Sequence, residues 1–106
     1  MPKVGNNLSS QVLEIQNEIF LIDCGEGTQL GLRKNKIKFS RIKCIFISHL
    51  HGDHYFGLIG LISTFSLLNR SADLHIYGPL GLKDLILNQI KASGSWTKYR
   101  LIFHIL

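Results

Sequence analysis

The sequence has few cysteines, few acidic residues and no long apolar run, and each shortage excludes a class of protein. Cys24 and Cys44 are the two cysteines and form no CxxC pair, which argues against a disulfide framework or a redox motif. We expect two small buried thiols. Residues 1–10 lack the apolar core of a signal peptide. The longest apolar stretch, Tyr55–Leu68, is interrupted by hydroxyl residues and too short to span a bilayer. We therefore expect a soluble, cytoplasmic protein with no membrane partner.

Acidic residues are outnumbered by basic ones, 7 to 12, which gives a net charge of +5. A basic balance favours a polyanionic partner, although weakly. Six basic residues are close together in the sequence: Arg33, Lys34, Lys36, Lys38, Arg41 and Lys43. They form either a solvated face or a phosphate-contacting one, and the sequence does not decide between the two.

The first part of the chain predicts a β-hairpin followed by a short helix. Val12–Ile15 and Ile19–Ile22 have the apolar pattern of strands, and Asn17-Glu18 suits the turn between them. After a glycine-punctuated loop, Thr28 can cap a helix that covers Gln29–Lys34.

The rest of the chain alternates predicted strands with predicted helices. Lys43–Ser48 is typical of a buried strand, and Tyr55–Leu68 has the spacing of a largely buried helix. A strand ending at Gly78-Pro79, an amphipathic helix that starts at Leu82 and stops at Ser93-Gly94, and a strand over Tyr99–Leu106 follow. Alternation of this kind predicts an α/β layered sheet, and we expect one domain over residues 1–106.

Four candidate metal ligands follow the buried strand directly. In an extended segment, His49 and His51 point the same way and can bind one ion together, while Asp53 and His54 face a neighbouring position. Gly52 between them permits a sharp backbone turn. The spacing suits two divalent ions that share a water and hydrolyse a phosphodiester or another ester.

Asp53, His75 and His104 also have ordinary structural interpretations. Asp53 is well placed to cap the helix that begins near Tyr55, and both roles can hold at once. His75 lies within a predicted strand and His104 near the terminus, so we expect both to be ordinary sheet residues.

The segment His49–His54 resembles the hallmark motif of the metallo-β-lactamase superfamily. The flanking segments resemble those of ribonuclease Z, a tRNA 3′-processing endoribonuclease, and together they span Ser10–Leu87. They are Leu21–Gln29, Ile45–Ser48, Gly57–Leu61, Ile76–Pro79 and Gly81-Leu82.

The resemblance implies a zinc-dependent endonuclease that removes the 3′ trailer of precursor tRNA. It implies part of the family's αββα layered fold, about one half of it. The positions of His49 and His51 would bind a first zinc ion, and those of Asp53 and His54 a second. Asp53 would also handle the proton of the attacking water. The family further implies a homodimer.

The chain departs from the family pattern in two places. Met1–Asn7 lacks the expected first strand and its glycine-rich turn, and the family's further metal ligands would lie beyond Leu106. Apolar residues run to the last position, which predicts either a fragment or packing against another subunit. We expect an N-terminal fragment with little activity alone, because each metal would be short of its usual three protein ligands.

Other functions remain open at this point. The chain could belong to another hydrolase of the superfamily, of the thioesterase or arylsulfatase type. It could also be a degenerate, non-enzymatic relative that self-associates. Unfinished sheets pair through their edges, and we expect such pairing near Ile19 or Leu101.

Overall fold

The computed structural model describes residues 10–106, and of Asp53 it describes the backbone alone. The predicted absence of a first strand in Met1–Asn7 lies outside these residues. The strands are β1 (Gln11–Ile15), β2 (Glu18–Ile22), β3 (Ile42–Phe46), β4 (Leu74–Gly78) and β5 (Leu101–Ile105). The helices are α1 (Thr28–Lys34), α2 (Gly52–Tyr55), α3 (Leu58–Leu67) and α4 (Leu82–Ala92).

The five strands form one sheet in sequence order, β1-β2-β3-β4-β5. β1 is antiparallel to β2, whereas β2 to β5 run parallel, joined by helical segments. The α/β fold class and the order of elements predicted from the sequence are therefore confirmed. Ile19 lies in β2, between two partner strands, so the prediction of an edge there is wrong. Leu101 does lie on an edge strand.

All the long helices pack on one face of the sheet. Alternate strand residues such as Leu21, Ile45 and Ile76 are fully buried in one cluster with apolar residues of α1, α3 and α4. Their neighbours along the strands point to the other face, because side chains alternate in a strand. On that face, Phe46, Tyr77 and His104 stack with ring centroids 4.6 and 4.2 Å apart and are only half-buried.

Two turns differ from the sequence predictions. The hairpin turns at Gln16 and Asn17, whose φ angles of 49° and 67° are those of a tight hairpin turn, one residue earlier than predicted. Thr28 is the first residue of α1 and does not cap it. Gly27, with φ 84°, occupies the N-cap position and permits this left-handed backbone.

The predicted helix Tyr55–Leu68 is divided into α2 and α3. The carbonyl of His54, which a continuous helix would use internally, accepts the Cys24 backbone N–H at 2.7 Å. The Gly57 N–H in turn donates to the Cys24 carbonyl at 2.9 Å. A Cβ at Gly57 would overlap the Gly25 carbonyl oxygen, so only glycine allows this close approach. These two hydrogen bonds attach the junction between α2 and α3 to the loop that follows β2.

Candidate metal centre

The candidate ligands lie at the carboxyl ends of parallel strands, where α/β sheets usually bind ligands. The loop after β3 is fixed between its neighbours, since the Asp23 N–H donates to the Phe46 carbonyl at 2.6 Å and the Ile47 N–H to the Tyr77 carbonyl at 2.7 Å. Ser48 to His51 therefore leave the sheet beside the loop that follows β2.

Asp23 organises this end of the sheet. Its Oδ1 accepts the Ser48 backbone N–H at 2.8 Å and the Ser48 hydroxyl at 2.9 Å. Its Oδ2 lies 3.0 Å from His54 Nδ1. A carboxylate only accepts, so Nδ1 carries the proton, and in a neutral ring the lone pair of His54 is on Nε2. The backbone of Asp23 is left-handed, with φ 65°.

Three histidine rings gather around this carboxylate network. The centroid of His49 is 5.0 Å from that of His54 and 5.9 Å from that of His51, and the last pair is 6.3 Å apart. His49 and His51 are exposed, and His54 is half-buried. His49 Nδ1 is 3.0 Å from the Ser48 hydroxyl, so Ser48 connects two of the rings. The histidines predicted as ligands are therefore neighbours at a solvent-accessible surface.

Asp53 and Gly52 complete the segment. α2 begins at Gly52 with His51 at the N-cap position, so Asp53 lies inside the helix and the predicted capping role is wrong. A Cβ at Gly52 would overlap the Phe56 ring, which confirms that this position needs a residue without a side chain, although its backbone is not left-handed. Among the described side chains, no three His, Cys, Asp or Glu residues are arranged to hold a metal ion.

His75 and His104 are sheet residues, as predicted, and lie away from this cluster. They belong to β4 and β5, and His75 Nδ1 is 2.9 Å from His104 Nε2. Both cysteines are buried free thiols, also as predicted. Burial raises the pKa of Cys24 to about 12. Its thiol therefore stays protonated at neutral pH, which makes it neither a nucleophile nor a ready ligand.

Asp23 and Ser48 are the residues that sequence reasoning missed. A signal was present, because Asp23 comes one residue and Ser48 two residues after the end of a strand, and neighbouring parallel strands bring their carboxyl ends together. Asp23 was assigned only to a glycine-rich loop, and nothing in its spacing to His54 predicts their contact.

Residues 3–100 match the family described as "Anti-Pycsar protein Apyc1". The chain belongs to this family. Curated relatives of this chain carry the name ribonuclease Z. That of Bacteroides fragilis is 51% identical over 104 residues, which are 98% of this chain and 34% of the relative. The chain thus spans about a third of the length of the curated relatives it matches.

Two solved structures have the fold of this chain over part of their length. The short form of human tRNase Z is 39% identical, with a TM-score of 0.86 over 99% of this chain and 42% of the human one. The metallo-β-lactamase fold protein YhfI of Bacillus subtilis has a TM-score of 0.63 over 94% of this chain and 39% of its own, at 21% identity. The resemblance to the N-terminal part of ribonuclease Z and the partial metallo-β-lactamase fold are confirmed.

Within residues 10–106, no helix is long and apolar enough to cross a membrane.

Proposed function

We propose that this chain is the N-terminal, metal-binding part of a zinc-dependent endoribonuclease that removes the 3′ trailer of precursor tRNA. The observation that carries the proposal is the group of three neighbouring histidines, two of which are oriented by Asp23 and Ser48, in a chain that resembles ribonuclease Z over 98% of its length. A homodimer and a cytoplasmic location belong to the same proposal.

The imidazole side chains of His49, His51 and His54 are suitable ligands for zinc. Imidazole nitrogens are common zinc ligands, and such ligands usually donate their second ring N–H to a carboxylate. His54 has this arrangement with Asp23. His49 and His51 would hold a first ion, and Asp53 and His54 a second. Bound zinc would supply hydroxide near neutral pH and stabilise charge on the phosphodiester oxygens.

The chain's own residues would orient the ligands and move one proton. Asp23 and Ser48 fix the rings of His49 and His54 through the hydrogen bonds described above. Asp53 would take the proton of the attacking water. Because the relatives are about three times longer, we expect their remaining part to complete the ligand sets, and the 106-residue chain alone to release little trailer.

A chimera tests the proposal. The matching N-terminal segment of the Bacteroides fragilis enzyme is replaced by this chain, and cleavage of labelled precursor tRNA is measured with zinc. We expect 3′ trailer release that is lost in H49A/H51A and kept in H75A/H104A, a matched control in the sheet. An inactive but folded and zinc-loaded chimera would contradict the proposal.

The isolated chain gives a second test. Zinc bound per chain after dialysis should fall in H49A/H51A and not in H75A/H104A. Efficient trailer release by the isolated chain would refute the expected inactivity. A panel that adds thioester and aryl sulfate substrates separates the nuclease from the alternative hydrolases, since only the nuclease needs RNA.

A further inference from the structure

A groove at the opposite end of the sheet from the histidines combines cationic and apolar walls. It lies between the C-terminal ends of α1 and α3 and has a volume of about 410 Å³. We name it the Arg33 groove; it is lined by Arg33, Ile37, Lys38, Phe39, Ser40, Phe65, Leu68 and Arg70. Three of these residues are cationic, and none is acidic.

The cations of the groove differ from the other basic residues nearby. Arg41 pairs with Glu14 at 2.6 Å and Lys43 with Glu18 at 3.1 Å, which neutralises that part of the cluster. Within residues 10–106, neither Arg33 nor Lys38 has a carboxylate partner. The groove therefore retains uncompensated positive charge.

Both arginines lie within cation–π distance of an aromatic ring. The Arg33 guanidinium is 5.3 Å from the centre of the Phe39 ring, and that of Arg70 is 5.1 Å from the Phe65 ring. Arg70 is held by the carbonyls of Ala72 and Asp73, each at 2.9 Å. Its Nη1 is buried and finds no acceptor in the described part of the chain. Arg70 therefore forms part of the groove's wall, whereas the exposed guanidinium of Arg33 is free to contact a phosphate or a base.

We infer that the Arg33 groove binds single-stranded RNA, with Arg33 and Lys38 on phosphates and a base against Phe39 and Leu68. The cations select a polyanion, and the apolar walls select one that carries planar apolar groups. A phosphate ion alone would leave most of the 410 Å³ and its apolar lining unused. The inference rests on the proposed function, in that RNA is the proposed substrate.

The position of the groove gives it a role separate from cleavage. It adjoins the start of β3, whereas the histidines follow the end of that strand. A five-residue strand spans roughly 16 Å, so the groove holds nucleotides several positions from the cut. The groove thus contributes to RNA binding and not to the cleavage step.

Fluorescence anisotropy with a short labelled oligouridylate tests the groove. R33Q/K38Q is compared with K83Q/K91Q, which removes the same charge from exposed positions on α4. We expect the groove pair to weaken binding at least fivefold and the α4 pair less than twofold, at about 50 mM salt. The slope of log K against log salt concentration should become less steep by about 1.4 in R33Q/K38Q, as expected for two lost phosphate contacts on a single strand.

The apolar wall is tested separately. F39L should weaken binding at least threefold, because base stacking on an aromatic ring is lost. Leu68 is 58% exposed, so L68S gives the same test without disturbing the core if F39L unfolds. Equal weakening in both charge pairs, or unchanged binding in R33Q/K38Q, overturns the inference. No zinc is needed, so a chain that binds through the groove and fails in the cleavage chimera keeps this inference and loses the proposed function.

Discussion

Asp23 stabilises the candidate metal centre by using both of its carboxylate oxygens. One oxygen holds the chain at Ser48, and the other faces His54 Nδ1. A residue that holds the backbone beside His49 and also orients His54 acts on both candidate ion positions. We propose that it is a positioning residue rather than a ligand.

Replacing this carboxylate separates positioning from general stability. In D23N, the one remaining carbonyl oxygen cannot take the place of both carboxylate oxygens, so either the Ser48 N–H or His54 Nδ1 loses its acceptor and the site loses its fixed arrangement. We expect zinc affinity to fall about 10- to 100-fold, measured by competition with a chromophoric chelator. The matched control is D73N, whose carboxylate pairs with Arg100 at 2.8 Å away from the histidines. An equal loss in D73N would contradict a positioning role for Asp23.

The sequence predicted the histidine cluster but not the residue that orients it. His49, His51 and His54 are within six positions, so local spacing alone brings them together. Asp23 is 31 residues from His54, and their contact depends on the pairing of β2 with β3. Long-range contacts of this kind follow from the register of the sheet, which local sequence patterns do not reveal.

The break between α2 and α3 shows the same limit at the scale of the element. Apolar spacing continues through Gly57, so periodicity predicted one helix. Hydrogen bonds from the Cys24 segment override that local preference. By contrast, α4 buries a regular stripe with Leu82 and Ile86 as its buried residues, and the predicted helix agrees with the observed one.

Two glycine substitutions test how the break is maintained. G57A should destabilise the protein by about 1–3 kcal/mol, because its Cβ would overlap the Gly25 carbonyl. G60A lies inside α3 with its nearest neighbour, Gln29 Oε1, 4.0 Å away. It should stabilise the protein by about 0.5–1 kcal/mol through helix propensity. Urea unfolding measures both, and equal effects would refute the proposed role of Gly57.

Tyr99 attaches the segment before β5 to α3. Its buried hydroxyl donates to the Ile62 carbonyl at 2.7 Å, and burial raises the pKa of Tyr99 above its usual value of 10.0. Folding therefore favours the neutral hydroxyl. The resulting stabilisation is complete below about pH 10 and is lost as the pH rises beyond it.

The variant Y99F tests this contact. Near pH 7, wild type should be more stable than Y99F by about 1 kcal/mol, since the phenylalanine leaves the Ile62 carbonyl without its donor. The difference in unfolding free energy should shrink above pH 10, because only wild type has a buried hydroxyl to ionise. Urea titrations over this pH range measure it, and a constant difference would show that the hydroxyl ionises equally in both states.

At the scale of the whole molecule, β5 has a free edge within the described residues, and Ile105, its last residue, is 69% exposed. Such edges pair with other chains unless a charge blocks them. We expect the isolated chain to self-associate, and I105K to shift it toward monomer in sedimentation velocity. L67K is the control, at an 82% exposed leucine on α3. A monomeric wild type, or an equal shift in L67K, would refute association through β5.

The sequential strand order has a consequence for synthesis on the ribosome. Each strand pairs with the one made just before it, and each connecting helix covers the strands already in place. None of the five described strands therefore has to wait for a partner that is made later, but each parallel pair forms only after its crossover segment has closed, which slows folding. As the nascent chain leaves the exit tunnel, the sheet can widen by one strand at a time, and the loops that carry Asp23 and His49 are in contact as soon as the third strand has emerged.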